Sequence, residues 1–352
     1  MRITKLDGLR GVFCLMVVLF HYDPTSLPEQ ISSSFIIRQS WVFVEFFFVL
    51  SGYVICYNYN SMSNKKQLKS YVIKRFTRLY PLLFFSTMLF LSFEIVMNLY
   101  FPFYINTPES LNHLLYQTLD TLTFMNSTPV FGSTLGMNYP SWSISSEMIS
   151  YIVFGIITVF FRGRNQTRLF ISLILISCVF LLNKELFLGY DFVFIRGIMS
   201  FSLGVLIYKY PFKKIRLPNY TEIFIPVLIV ISLYLLNSGV GFLKEFHKIF
   251  TINIVFFISI HILLKTQGFF SKLLDTSFFQ FLGKISYSVY LNHALLITII
   301  PRGIFSIIGF EKTFNNMLVV LFLSLGFLII YSKYTFHYIE LNGGKYFKRK
   351  LL

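Results

Sequence analysis

The stretch KRFTRLYPLLFFSTMLFLSF, residues 74–93, decides the fold class of this chain. Three basic residues, Lys74, Arg75 and Arg78, stand at its start, and no charged side chain occurs in the rest of it. A helix needs about 20 mostly apolar residues to cross the hydrocarbon core of a bilayer, and basic residues mark the cytoplasmic end of such a helix. The stretch therefore predicts a transmembrane helix that begins near Leu79 and runs away from the cytoplasm.

The same pattern recurs along the 352 residues, of which 55% are hydrophobic and 13% are charged. A soluble domain carries roughly a quarter charged residues. The sequence therefore predicts an all-α, polytopic membrane helical bundle of about ten transmembrane helices. We expect one integral-membrane domain over residues 1–352, with no extra soluble catalytic domain. The predicted spans begin near Leu9, Trp41, Leu79, Trp142, Leu169, Tyr190, Tyr220, Lys248, Phe281 and Met317.

The net charge of +16 arises from Lys and Arg clusters that fall in alternate loops. This alternation favours membrane topology over nucleic-acid binding as the source of the charge, and it predicts that both termini are cytoplasmic. The longest outer loop, from about Pro102 to Ser141, contains no basic residue and is a candidate for facing a substrate. Within it, the segment from His113 to Met125 is too short and polar to span, and predicts an amphipathic surface helix or a re-entrant piece.

Ionisable side chains inside a bilayer are costly, so they mark functional sites or buried pairs. Arg10 and His21 are eleven residues apart on the first predicted helix, which places them on one face with an axial separation of about 16 Å. Arg10 then lies near the cytoplasmic surface and His21 lies in the outer half of the membrane. An imidazole at that depth could act as general base for a hydroxyl nucleophile. The alternative is an interfacial side chain bonded to a neighbouring carbonyl.

Arg75 and Arg78 are i and i+3 at the start of the third predicted span, so their side chains are neighbours. Guanidinium groups bind phosphates through a bidentate fork, and a helix N-terminus adds free backbone N–H groups. The pair therefore predicts a phosphate-binding site. From spacing alone, a role as a topology signal is equally possible.

Trp142-Ser143-Ile144-Ser145-Ser146-Glu147 enters the fourth predicted span from the outer side. This places Trp142 at the membrane interface and Glu147 about one turn inside, where a carboxylate needs a partner. Glu147 could orient His21 as the acid does in a His–carboxylate pair. It could instead pair with Arg196 or Lys284 for structure alone.

Ser286, Tyr290 and His293 fall on one helical face in the segment Ser286-Tyr287-Ser288-Val289-Tyr290-Leu291-Asn292-His293. Such a polar stripe predicts either the lining of a substrate path, which Trp142 and Ser143 would share, or hydrogen bonds that hold helices together. The sequence contains no metal-ligand spacing, Gly-rich phosphate loop or nucleophile elbow.

Taken together, these segments resemble the membrane-bound acyltransferase-3 family over nearly the whole chain. The resemblance lies in five ordered motifs: Leu6 to Gly11 followed by His21, Phe47 to Tyr53, Arg75 to Pro81, Trp142 to Glu147, and Ser286 to His293. Three positions depart from the family pattern. Glu45 stands where the family usually has Asp, Glu147 lacks a second adjacent Glu, and Ile339-Glu340-Leu341 lacks the usual following proline.

The resemblance implies an O-acyltransferase of the bacterial inner membrane that uses cytoplasmic acyl-CoA, usually acetyl-CoA, as donor and holds no permanent cofactor. Its acceptor would be a surface glycan such as an O-antigen, capsule or exopolysaccharide, and membrane lipid would surround it. Arg10, Arg75 and Arg78 would bind the nucleotide phosphates. His21 would take the proton from the acceptor hydroxyl, with Glu147 or Glu45 stabilising the imidazolium; a transient acyl-histidine is the alternative.

A transporter or flippase for a lipid-linked glycan is the rival interpretation, because it too needs a polar path through a helical bundle. The shared face of Arg10 and His21 and the phosphate-suited arginines favour the enzyme.

Overall fold

The computed structural model describes residues 3–101, 109–131, 135–182, 192–211, 216–238 and 244–352. Within these ranges every regular element is helical, which confirms the predicted all-α fold class. The helices are α1 Thr4–His21, α2 Glu29–Ser32, α3 Phe35–Arg38, α4 Val44–Tyr59, α5 Lys65–Tyr100, α6 Leu111–Leu122, α7 Trp142–Phe160, α8 Gly163–Leu182, α9 Phe194–Lys209, α10 Phe224–Asn237, α11 Lys244–Lys265, α12 Phe269–Leu274, α13 Ser277–Arg302, α14 Phe314–Thr335 and α15 Asn342–Leu351.

Eight helical segments of the described residues are long and apolar enough to cross a membrane. They contain α4, α5, α7, α8, α10, α11, α13 and α14. The other two predicted spans correspond to α1, which carries Lys5, Asp7 and Arg10, and to α9, which has only 16 residues. Both helices pack against neighbouring helices. Contact with protein shields the charges of α1 and the ends of the short α9 from lipid. The protein is a multi-pass membrane bundle; the count of ten and the cytoplasmic termini stay predictions.

Glycines allow two helix pairs at the centre of the bundle to approach closely. A Cβ atom on Gly204 of α9 would collide with the carbonyl oxygen of Val49 on α4, and one on Gly11 of α1 would collide with the backbone of Gly283 on α13. Small residues at such crossings let helix backbones meet in membranes. The close contact between α1 and α13 brings the face that carries Arg10 and His21 against the polar stripe of α13.

The α1 and α13 helices pack in parallel. Asp7 lies against Gly283, Cys14 Sγ donates to the carbonyl of Ser286 at 3.2 Å, and His21 lies beside His293. The residue numbers of the contacting pairs increase in the same direction along both helices. This sense agrees with the predicted topology, in which both helices run from the cytoplasmic to the outer side.

The outer segment before α7 folds onto the bundle. The α6 helix buries Thr118, Asp120 and Thr121 and exposes Leu111, Leu115 and Leu119, so it has a polar and an apolar face, as predicted for an amphipathic helix there. Further along, the side-chain nitrogen of Asn138 donates to the Ser86 hydroxyl at 3.2 Å and to the Leu291 carbonyl at 3.1 Å. These bonds tie the segment to α5 and α13 and place it next to the outer end of α1. The predicted sixth start, Tyr190, and part of the loop beginning at Pro102 lie outside the described residues.

The α14 helix continues into α15 through a π-helical stretch, Phe336–Leu341. This stretch packs against α5 and α13 and carries a buried carboxylate, Glu340. Single π-helical turns occur frequently at functional sites, because the extra residue in the turn re-aims the side chains around it.

Candidate functional site

Arg10 is fixed between α1 and α13. Its Nε donates to the Ser286 hydroxyl at 2.9 Å and its Nη2 donates to the Gly283 carbonyl at 2.6 Å, while Asp7 Oδ1 lies 3.8 Å from Nη1. The close approach of the two helices at Gly283 makes these bonds possible. The guanidinium is therefore held in one orientation by two neutral acceptors, with the Asp7 carboxylate at salt-bridge distance from its third nitrogen.

A cavity of about 340 Å³ brings the three predicted donor-binding arginines together. Arg10, Arg75 and Arg78 all line it, although they come from two helices that are far apart in sequence. Its polar lining also includes Asp7, Ser51, Ser143, Glu147, Tyr151, Ser286, Tyr287 and Tyr290. Guanidinium groups of this kind suit the binding of phosphates, and the carboxylates of Asp7 and Glu147 offset part of their charge.

Arg75 has an unused hydrogen-bond donor. Its Nη2 donates to the Tyr59 hydroxyl at 3.1 Å, and its guanidinium carbon lies 5.2 Å from the Tyr59 ring centre and 5.9 Å from that of Tyr151. Among the described residues, the buried Nε of Arg75 has no hydrogen-bond partner. A buried N–H without an acceptor is costly, so this donor favours a ligand acceptor at the site.

Arg78 is anchored on one side and open on the other. Its Nη1 forms an ion pair with Oε1 of Glu340, and its guanidinium carbon lies 5.3 Å from the Tyr287 ring centre. The side chain of Arg78 remains 40% exposed, whereas that of Glu340 is fully buried. Donor groups of Arg78 therefore remain available on the cavity side.

Glu147 lies in the cavity with the arginines. Its Oε1 accepts from the Ser51 hydroxyl at 2.6 Å and from the Tyr151 hydroxyl. The sequence predicted that Glu147 either orients His21 or pairs with Arg196 or Lys284. Its hydrogen bonds in the structure go instead to Ser51 on α4 and to Tyr151 one turn further along α7.

Glu45 forms a buried ion pair. Its Oε1 accepts from Nη2 of Arg196 at 2.6 Å and from Nε at 2.9 Å, and its Oε2 accepts from the Ser200 hydroxyl at 2.5 Å. The Arg196 guanidinium carbon lies 5.1 Å from the ring centre of Trp41 and 5.0 Å from that of Trp142. Glu45 and Trp142 thus belong to a cluster that joins α4, α7 and α9. The predicted bond from Glu45 to His21 is not formed in this arrangement.

His21 contacts a second histidine. Its Nδ1 lies 3.0 Å from the Val17 carbonyl and 3.2 Å from Nε2 of His293, and the Nδ1 of His293 lies 2.6 Å from the Tyr290 carbonyl. A carbonyl only accepts, so in neutral rings both Nδ1 atoms carry the proton and Nε2 of His293 accepts from His21. Nε2 of His21 then keeps its lone pair and has no hydrogen-bond partner among the described residues. A neutral imidazole nitrogen of this kind can accept a proton.

Ser143 and Tyr290 connect the cavity with the two histidines. Their hydroxyl oxygens are 2.8 Å apart, and both residues line the cavity. The Tyr290 ring centre is 5.6 Å from that of His293, and the Tyr139 ring centre is 5.2 Å from that of His21. His21 and His293 themselves lie beyond the cavity lining. The order along the α1–α13 contact is therefore arginines, then the Ser143–Tyr290 pair, then histidines.

Sequence reasoning missed four side chains of the site: Ser51, Tyr59, Tyr151 and Glu340. Ser51 stands within the predicted second-helix motif, and Glu340 interrupts an apolar stretch just before the basic tail, so both carried a signal. Tyr59 and Tyr151 carried none, because the chain has 22 tyrosines and spacing does not separate these two from the rest.

The fold and the site together define a multi-pass membrane protein with a cavity lined by three arginines and a histidine pair beyond that lining. Residues 3–335 match the acyltransferase-3 family model, described as an acyltransferase domain, so the chain belongs to this family of acyltransferases. The predicted resemblance is confirmed. No curated protein and no solved structure matches the chain.

Proposed function

We propose that this protein transfers an acyl group, acetyl by preference, from cytoplasmic acyl-CoA to a hydroxyl of a cell-surface or lipid-linked polysaccharide in the bacterial inner membrane. One observation carries the proposal. Arg10 and His21 share one face of α1, so a cavity lined by three arginines and an imidazole with a free Nε2 lie at opposite ends of the same helix contact. Acyltransferase activity follows from the family; the donor, the acceptor and the base are the proposal.

The donor end suits a nucleotide thioester. Arg10, Arg75 and Arg78 would bind the phosphates, and the buried Nε of Arg75 would gain the acceptor that it lacks. The thioester arm would then extend past Ser143 and Tyr290 toward His21. The axial distance from Arg10 to His21 is about 16 Å. The flexible thioester arm of acyl-CoA would span this distance.

The chemical step is an addition followed by an elimination. His21 Nε2 takes the proton of the acceptor hydroxyl while its oxygen bonds to the thioester carbon. The tetrahedral intermediate collapses, the carbon–sulfur bond breaks, and the thiolate takes the proton back from the imidazolium. The products are an ester on the glycan and free CoA.

His293 would stabilise the charged intermediate state of His21. The Nδ1–H of His21 is shared between the Val17 carbonyl, which fixes the tautomer that leaves His21 Nε2 free, and Nε2 of His293, which also accepts it. From the sequence alone, a carboxylate was predicted in this role. Glu147 would instead order Tyr151 and Ser51 in the donor cavity.

The test is to measure O-acetyl groups on surface polysaccharide by NMR in strains that carry the wild type, His21→Ala, or no protein. His337→Ala is the matched control, because His337 is exposed and does not line the cavity. We expect acetylation in the wild type and the control only, with polysaccharide at the surface of every strain. Unchanged acetylation in the His21→Ala strain would remove the proposal, and loss of surface polysaccharide without the protein would favour a flippase.

A further inference from the structure

We propose that Glu340 is a positioning residue of the donor site, holding Arg78 so that its free N–H groups face the cavity. The inference rests on the proposed function, and it concerns a residue to which the sequence analysis assigned no role. Glu340 does not line the cavity; it acts through Arg78.

The first observation is the position of the carboxylate. Glu340 is 2% exposed and lies in the π-helical stretch Phe336–Leu341. Burying a carboxylate costs free energy unless both oxygens find partners. Here Oε1 pairs with Arg78 of α5, and Oε2 accepts from the Ser288 hydroxyl of α13 at 2.6 Å. Glu340 therefore ties three parts of the fold together at the level of the donor cavity.

The second observation is how Arg78 is confined. Glu340 binds one Nη, and the Tyr287 ring lies 5.3 Å from the guanidinium carbon. Tyr287 is itself fixed, because its hydroxyl donates to the Leu79 carbonyl at 2.7 Å. A guanidinium has five N–H donors, so an ion pair at one Nη leaves donors on the opposite edge for a ligand. An unanchored Arg side chain would lose rotamer entropy on binding, which this pair removes in advance.

The third observation concerns how the anchor reaches Arg78. Gly343 approaches Pro81 and Gly344 approaches the Thr77 carbonyl, so the chain just after Glu340 lies directly on the turn of α5 that carries Arg78. A side chain at Gly344 would push against that carbonyl. The start of α15 therefore fixes the distance between Glu340 and Arg78, and the C-terminal segment becomes part of the donor site.

The experiment is a double-mutant cycle on the full-length protein purified in detergent, with acetyl-CoA as the probe. Wild type, Glu340→Gln, Arg78→Gln and the double variant are compared by acetyl-CoA affinity, by KM and kcat, and by melting temperature. We expect Glu340→Gln to weaken acetyl-CoA binding about 3- to 10-fold through KM with little change in kcat, and the double variant to bind no more weakly than Arg78→Gln alone. Glu340→Asp keeps the charge and restores part of the affinity.

Two outcomes overturn the inference. One is wild-type acetyl-CoA affinity in Glu340→Gln; the other is a loss in the double variant equal to the product of the two single losses. If Glu340→Gln does not fold, Glu340→Asp replaces it in the cycle, because that variant keeps the charge but draws it back from Arg78, and the same two outcomes apply. A wild type that does not bind acetyl-CoA contradicts the proposed function itself, so the two failures are distinguishable.

Discussion

Nε2 of His293 lies 3.2 Å from Nδ1 of His21, although the two residues are 272 positions apart in the chain. Parallel packing of α13 against α1 produces this contact, and the Tyr290 carbonyl orients the second ring. Nε2 of His293 is a neutral acceptor for Nδ1 of His21, and Nε2 of His21 has no hydrogen-bond partner among the described residues. Four predictions follow from this and from the contacts around it.

Replacing His293 by Phe removes the accepting ring nitrogen while keeping an aromatic ring of comparable size. We expect kcat to fall about 10- to 100-fold, because His21 loses the side-chain acceptor that stabilises its imidazolium. KM for acetyl-CoA is expected to stay unchanged, since His293 lies beyond the cavity lining. Steady-state kinetics with purified protein measure both constants. An unaltered kcat would mean that the histidine contact has no part in the reaction.

Arg75→Ala and Arg78→Ala each remove a charged hydrogen-bond donor from the cavity. We expect each to weaken acetyl-CoA binding about tenfold or more, because a bond to a charged group contributes about 1.5–3 kcal/mol. Calorimetry on the detergent-solubilised protein measures the affinity. Arg164→Ala is the control, because Arg164 is an exposed cation at the start of α8 and does not line the cavity. Equal affinity in the control and the two cavity variants would remove these arginines from the donor site.

The Glu45–Arg196 ion pair is predicted to stabilise the fold. Glu45→Gln leaves a buried guanidinium without its counter-charge, so the melting temperature should drop, with a cost of about 3–5 kcal/mol for breaking a buried pair. Adding Arg196→Met should recover much of that loss. If Glu45→Gln keeps the wild-type melting temperature and lowers kcat, Glu45 serves catalysis instead, as the sequence alone allowed.

Gly204→Ala tests the crossing of α4 and α9. The added methyl group collides with the Val49 carbonyl, so we expect destabilisation of about 1–3 kcal/mol, seen as a lower melting temperature. Gly326→Ala is the matched control in α14, because a Cβ atom there meets no other atom within 4 Å. Equal melting temperatures for the two variants would show that the helices do not cross this closely.

Local chemistry made the helical class, the arginine cluster and the prominence of His21 predictable from sequence. Apolar length reports a membrane helix, and an imidazole or guanidinium in such a helix is rare enough to stand out. The partners of those groups were not predictable. Glu45 and Glu147 have the same side chain, so their chemistry does not distinguish their partners. Only the register between helices decides that Glu45 pairs with Arg196 and that Glu147 accepts from Ser51 and Tyr151.

The contact between His21 and His293 could not be predicted from the sequence either. The polar stripe of α13 could be read from helical periodicity, but the helix that it faces could not. Backbone approach at Gly11 and Gly283 sets that register, and a glycine in an apolar helix does not reveal which partner it admits.

The most direct measurement of the central claim uses inside-out membrane vesicles, which expose the cytoplasmic face, supplied with radiolabelled acetyl-CoA. Label in the polysaccharide is counted for vesicles that contain wild type, His21→Ala or His337→Ala. The account predicts label with wild type and His337→Ala and none above background with His21→Ala. Equal label with wild type and His21→Ala, or no label with wild type, would contradict it.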